Sequence, residues 1–409
     1  MTAKLLAQFD RNYLIFLLAT ALIGIGQSVD GAAITNYFRD CLGMSILERS
    51  GLETPRELPG LLVVVIIGLM TSLGDVRIAA VANLLAGIGM FLLGVIPYEY
   101  KFVVMTMFVY SLGTHIYLPT SNSIGMSFAT AKDMGRKLGR INSVSTATLV
   151  VSSAILWVLF HFCHISFTAT FTIGAIAFML AAVCLLFVKP TQVAKTGKRF
   201  IFRKEYGLYY WLSILFGARK QVFLTFGPWV LVDVFQQKVT TMTLLFFIIS
   251  VTGIFLKPWL GKIIDERGEK YILTREAFLF FFICLGYAFA TDLFSPTLAL
   301  SVICLCYIID QSLSSVSMAR ATYMKKLART PDEVSPSLSL GTSLDHISTM
   351  VLPLIGGLVW YNSGPNGYKY VFLGGAVIAM LNFISAQFIN VEKQKHVTVS
   401  VDRVATEER

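Results

Sequence analysis

The amino-acid sequence predicts an all-α membrane protein with 12 transmembrane helices, and three observations carry that expectation. The 409 residues are 55% hydrophobic and only 14% charged, with a mean hydropathy of +0.69, too apolar a composition for a water-covered surface. Apolar runs of about 20 residues, the length a helix needs to cross the hydrocarbon core, recur roughly twelve times. Lys and Arg collect in every second loop, the asymmetry that places basic loops on the cytoplasmic side.

Taken in order, the first span centres near Ile25 and follows Lys4 and Arg11, so it superficially resembles a secretory signal. It is too long for a signal core, carries Gln27 and Asp30, and lacks a small-x-small cleavage site. The second and third spans, near Ile67 and Ile88, flank a short loop with Asp75 and Arg77. The fourth, near Thr114, sets Ser111, His115 and Asn122 on one face. The fifth, near Ser152, follows a basic cluster of Arg136, Lys137 and Arg140, and the sixth centres near Ala177. A basic stretch from Lys189 to Lys204 separates it from the seventh, near Ala218. The eighth and ninth, near Ser250 and Phe281, enclose a loop with Gly261, Asp265, Arg267 and Gly268, and the last three centre near Asp310, Met350 and Met380.

With the N-terminus inside, the outer loops hold only Arg39, Arg49, Arg56, Lys101, Lys238 and Lys369, and the inner loops, Arg275 and Arg320 among them, take most of the 34 basic residues. Both termini are therefore expected in the cytoplasm. The outer loop from Arg39 to Leu58 is long and charge-mixed, a pattern for a lid, a short surface helix or, most simply, a solvated loop. No N-x-[ST] sequon is present, which points to a bacterial inner membrane.

Composition also excludes several function classes. The basic balance of +10 follows from loop asymmetry, and no basic face with interleaved aromatics is present, so no nucleic-acid partner is expected. The sequence lacks G-x-x-x-x-G-K-[ST], H-E-x-x-H and G-x-S-x-G, so neither ATP-driven transport nor an embedded hydrolase is expected, nor any cofactor. The six cysteines show no paired framework and read as free thiols. A metal site at His161, Cys163 and His164 is the minority alternative to a plain helix end.

The chain repeats itself weakly. Arg77 and Arg267, Arg136 and Lys326, and Asp30 and Lys220 all stand at one constant offset. Two six-span halves, 1–190 and 207–391, joined by a cytoplasmic linker 191–206 and followed by a disordered tail 392–409, fit a duplicated membrane unit. The loop Gly261, Asp265, Glu266, Arg267, Gly268, Glu269, Lys270 resembles the G-x-x-x-D-R-x-G-R-R signature of the major facilitator superfamily; Gly74, Asp75 and Arg77 are a degraded first copy. Pro353, Gly356 and Gly357 resemble that family's P-x-x-G-G. The resemblance implies a secondary transporter working by alternating access, usually monomeric, with a small-molecule substrate and a coupling ion. It also implies gating roles for Asp75, Arg77, Gly261, Asp265, Arg267 and Gly268, and a cavity lined by the first, fourth, seventh and tenth helices.

Those four helices hold the intramembrane polar residues: Gln27 and Asp30, His115 and Asn122, Arg219, Lys220 and Gln221, and Tyr307, Asp310 and Gln311; the eleventh adds Asp345 and His346. A charge at the bilayer centre costs at least about 2.5 kcal/mol, so each needs a partner or a wet cavity. Three readings compete. In the first, Arg219 or Lys220 holds an anionic group of a small organic anion or zwitterion, Gln27, His115, Asn122, Gln221, Tyr307 and Gln311 contribute contacts, and Asp30, Asp310, Asp345 or His346 carries a coupling proton. In the second, Asp30 and Asp310 pair with the two cations as structural or gating salt bridges. In the third, Asp30, His115, Asp310, Asp345 and His346 pass a divalent metal, which the adjacent cations would repel. Drug–proton antiport and a non-transporting receptor are the further alternatives.

Overall fold

The computed structural model describes residues 11–97, 99–129, 133–189 and 202–390. Lys4, the linker as far as 201 and the tail 392–409 lie outside them. The apolar runs fold as helices, and among the described residues there is no strand. Each helical segment satisfies its own backbone groups, the condition for crossing hydrocarbon.

In the first half of the chain the long helices are α1 (Arg11–Asn36, prolonged by a π turn Tyr37–Cys41), α2 (Glu53–Leu69), α3 (Asp75–Val95), α4 (Tyr100–Ser127), α5 (Met134–His161) and α6 (Phe167–Leu186). In the second they are α7 (beginning as Gly207–Gln221), α8 and α9 (239–267 and 269–293), α10 (beginning as Pro296–Leu313 and running on to Leu327), α11 (Pro331–Asn362) and α12 (Gly367–Ala386). Nine stretches among the described residues are long and apolar enough to cross a membrane. One of these, Val239–Leu293, is two helices, because Gly268 at φ 80 and ψ 170 breaks it in a conformation costly for any side chain. Two further long helical stretches fall outside that criterion: α2 is 17 residues long, and α7 is interrupted by π turns at Val222–Phe226 and Val230–Val234 around Pro228. Proline withholds one backbone donor, so the register slips there.

The outside of the molecule is apolar. Leu69, Leu186, Phe255, Ile155, Val377 and Phe388 are all exposed, and an apolar groove of about 410 Å³ runs between α9 and α12 past Phe281, Leu285 and Val377. Such a surface is stable against lipid and not against water: this is an integral, multi-pass membrane protein.

The chain divides into two compact units. Within the described residues one comprises 11–48, 55–189 and 236–251, and the other 49–54, 202–235 and 252–390. In the first unit, α3 and α4 pack backbone to backbone where a Cβ on Gly113 would strike Ala82 and Ala86, the small-residue contact typical of helices in lipid. In the second unit α7 is central, packed against α11 and α12.

Candidate functional site

The two cations of α7 each meet a carboxylate on another helix of the second unit. Arg219 Nη1 donates to Glu276 Oε1 of α9 at 2.8 Å, in a pair only 3% and 2% exposed. Its guanidinium lies 3.6 Å from the ring centre of Phe280 and 4.9 Å from that of Phe216, so the charge is enclosed by aromatic faces as well as neutralised. Lys220 Nζ donates to Asp345 Oδ2 of α11 at 3.1 Å, in a pair 24% and 16% exposed. Consecutive helical residues point about 100° apart, which sends the two side chains to different neighbours. Gly217 permits the close approach of α11, because a Cβ there would collide with the backbone and carboxylate of Asp345.

Gln221, one residue on, is fully buried and donates to Glu53 Oε2 at 2.8 Å and to Thr225 Oγ1 at 2.9 Å. Glu53 comes from the loop for which a solvated state was the simplest expectation, and that expectation is corrected. Ile46–Gly51 is a short helix, Arg49 and Glu53 form a fully buried ion pair, and Thr54 donates to the Met350 carbonyl of α11 at 3.1 Å. Charged side chains that leave water must pair with one another, and the mixed signs of this loop let them do so.

On α10, Asp310 is buried and accepts from Gln311 Nε2 at 2.9 Å; it lies within electrostatic reach of Arg219 and Glu276. Tyr307 is buried one turn earlier and His346 is buried on α11. Beyond Asp310 the helix tightens into a 3-10 turn, Ser314–Val316, and resumes as Ser317–Leu327. Arg320, read from sequence as an inner-loop residue, therefore sits inside a helix. Its guanidinium covers the Phe216 ring, and it acts electrostatically on Asp345, Glu276 and Arg219. Beside it opens a cavity of about 200 Å³ whose polar lining is Tyr209, Ser213, Ser317, Arg320, Thr342 and Asp345.

The structure thus gathers Arg219, Lys220, Gln221, Tyr307, Asp310, Gln311, Asp345 and His346 in the second unit, with Glu276 and Arg320 as members that sequence reasoning missed. Gln27, Asp30, His115 and Asn122 lie in the first unit. There the Tyr110 hydroxyl hydrogen-bonds Asp30, and His115 Nδ1 lies 2.9 Å from the Ser111 hydroxyl; Gln27 and Asn122 are exposed. His161 stacks on Trp157 with ring centroids 5.2 Å apart, and His161, Cys163 and His164 are all exposed; among the described residues they form no group of metal-ligand geometry.

The two signature loops differ. In the first, Gly74 takes φ 75 immediately before α3. Asp75, where the positive end of the helix dipole favours an acid, accepts from Ser123 of α4 at 2.5 Å, and Arg77 is exposed. In the second, Gly261 lies within α8, Asp265 is exposed, and Arg267 donates to the Tyr271 hydroxyl at 2.8 Å. The acid held in the structure is Glu269, buried just past Gly268 and paired with Lys326 of α10 at 2.7 Å. Beside α7's start, Arg203 Nε donates to Glu333 at 3.1 Å and Arg329 to Glu205 at 3.0 Å; the bond to Glu333 raises the guanidinium of Arg203 above its ordinary value. The Tyr206 hydroxyl also donates to Glu333.

A bundle of lipid-facing helices around buried ion pairs is the framework of a membrane transporter, and comparison with known proteins agrees. The sequence model of the Major Facilitator Superfamily matches residues 16–330, and the chain belongs to that family. No curated protein sequence matches it significantly. Among solved structures, the nucleoside transporter NupG superposes with a TM-score of 0.74 at 13% identity, covering 93% of this chain and 100% of that one. The D-xylose-proton symporter gives 0.68 at 12%, over 93% and 98%. A bacterial homologue of the iron transporter ferroportin, in an inward-facing state, gives 0.67 at 14%, over 92% and 98%. At these identities the likeness is one of fold. The chain is a transporter and not an enzyme, and its substrate is a small molecule.

Proposed function

We propose that this protein is a secondary active transporter that carries a small organic anion or zwitterion by alternating access, coupled to protons, in a bacterial inner membrane with both termini cytoplasmic. The observation that carries the reading is the pair Lys220–Asp345. It joins two membrane helices, yet both side chains retain solvent access. An arriving anionic group competes with Asp345 for Lys220, and Asp345, released from its cation, is the group to which this reading assigns the coupling proton. Substrate and proton are thereby exchanged for one ion pair, and the released contact between α7 and α11 is free to change the packing of the second unit. Arg219, sealed against Glu276, anchors α7 and does not meet the solute. Asp310, buried beside Arg219, is the second candidate proton carrier.

The test is a thermal-shift screen of the purified protein and its Lys220→Ala variant against carboxylates, amino acids, sugars, nucleosides and amines. Stabilisation by an anion or zwitterion that the variant loses supports the reading. Stabilisation only by neutral or cationic compounds, equal in both proteins, makes the pair structural and removes the anion assignment.

A further inference from the structure

The seam between α9 and α12 carries an apolar groove along one part of its length and a cation at one end. The groove, about 410 Å³, opens towards lipid, and every side chain lining it is apolar, Phe281 and Leu285 of α9 and Val377 and Met380 of α12 among them. Contacts further along the same seam fix its register. Phe278 meets Phe383 with ring centroids 6.0 Å apart, Gln387 Nε2 donates to Thr274 Oγ1 at 3.3 Å, and Lys270 Nζ donates to the Gln387 carbonyl at 2.6 Å. Lys270, Thr274, Phe281 and Leu285 share one stripe of α9, because their spacings of 4, 7 and 4 residues return to nearly the same side of a helix. Lys270 is exposed and spends on Gln387 one of the three donors of its ammonium.

Dimensions connect cation and groove. Lys270 and Phe281 are about 16 Å apart along the axis at about 1.5 Å per residue, and one leaflet of a hydrocarbon core about 30 Å thick is about 15 Å deep. With Lys270 at headgroup level, the groove begins near the bilayer midplane. Trp211 of α7, exposed and donating to Ser385 Oγ at 3.0 Å, marks the same level, since Trp collects at the membrane–water interface. The charge there is positive. Arg267 and Arg275 lie 5.0 and 5.4 Å from the ring centre of Tyr271. Of the acids from 265 to 269, Glu266 and Glu269 are paired with Lys262 at 3.6 Å and Lys326 at 2.7 Å, which leaves Asp265 to offset Lys270, Arg267 and Arg275.

From this geometry we infer that the seam is a binding site for one anionic phospholipid, its phosphate on Lys270 and the ends of its acyl chains in the groove. The groove's 410 Å³ is the volume of about 14 liquid waters at about 30 Å³ each, room for several methylenes of each chain. A free phosphate would use the cation alone, and a lipid without net charge would use the groove alone.

The experiment follows the melting temperature of the purified, delipidated full-length protein in neutral detergent as phosphatidylglycerol, phosphatidylcholine with the same acyl chains, or inorganic phosphate is added. Wild type is compared with Lys270→Gln and Val377→Phe. The first variant keeps a donor for the Gln387 carbonyl and removes the charge. The second fills the groove from a position that is 61% exposed, so the packed interior is untouched. The expected result is that phosphatidylglycerol binds wild type about fivefold more tightly than phosphatidylcholine, the contribution of one cation near an anionic headgroup. Lys270→Gln should bind both lipids equally, and Val377→Phe should weaken both. Equal binding of the two lipids to wild type, or a preference that survives Lys270→Gln, overturns the headgroup site. Inorganic phosphate stabilising as well as phosphatidylglycerol, or Val377→Phe binding lipid like wild type, removes the groove from the site and overturns the proposal.

Discussion

Arg219 and Lys220 are neighbours in sequence and differ in almost everything the fold does with them. Arg219 turns towards α9, is stripped of water and is closed between Glu276 and two phenylalanine rings. Lys220 turns towards α11 and shares a half-open pair with Asp345. A fully buried pair is costly to disturb, because removing one partner strands the other's charge in a low-dielectric interior. A partly solvated pair can be exchanged for a ligand at low cost. The same helix turn therefore supplies both an anchor and an exchangeable contact.

The largest effect is expected from breaking the anchor. Glu276→Gln leaves Arg219 uncompensated and should destabilise the protein by about 3–5 kcal/mol, seen as a large drop in melting temperature in detergent. Joint replacement of Arg219 and Glu276 by Met should recover most of that loss, since a packed apolar pair of similar volume is often as stable as the buried ion pair. A single variant that melts like wild type would show that water reaches the pair and would erase the contrast. Next in size is Gly217→Ala. The added methyl must push α11 from α7, an overpacking cost of about 1–3 kcal/mol, and should weaken solute binding while leaving Arg219 paired. Lys220→Ala comes third, with a stability loss of no more than about 1 kcal/mol against an at least tenfold loss of binding. Asp345→Asn should retain substrate exchange in proteoliposomes but lose acceleration by an inward proton gradient; an unchanged response would move the coupling role to another carboxylate, Asp310 first.

How legible was this in the sequence? The helical class was plain, since about 20-residue apolar runs and basic loop asymmetry each impose it. The seventh helix was marked by adjacent cations that lipid does not tolerate alone. Their partners were harder. Glu276 follows Arg275 near a predicted span end, where a charge reads as a loop residue, and only the continuation of α9 through that point buries it. Arg320 was assigned to a loop for the same reason, whereas α10 continues past a 3-10 turn to Leu327. The charged loop from Arg39 to Leu58 carried a signal that was underused. Arg49 and Glu53 are spaced i,i+4, the arrangement that lets them pair on a helix. Contacts between residues remote in sequence, such as Gln221 with Glu53, depend on packing that no local pattern encodes.

The smallest expected effect compares the anchor with an ionisable group outside the span. Tyr206, just before α7, is buried and donates to Glu333. Burial first, and then that hydrogen bond, push its phenol from the ordinary 10.0 up to about 12. The folded protein holds this proton more tightly than the unfolded chain, so the contribution is complete below about pH 10 and drains away as pH rises towards 12. Tyr206→Phe should melt slightly lower at neutral pH, by the roughly 1 kcal/mol of one hydrogen bond, because Glu333 keeps its contact with Arg203. Its melting temperature should then fall less steeply than wild type above pH 10, so the two curves converge. Parallel curves would mean that Tyr206 ionises without unfolding cost and that water reaches the start of α7. The Arg219–Glu276 pair would then be the clearer case of a charge fully withdrawn from solvent.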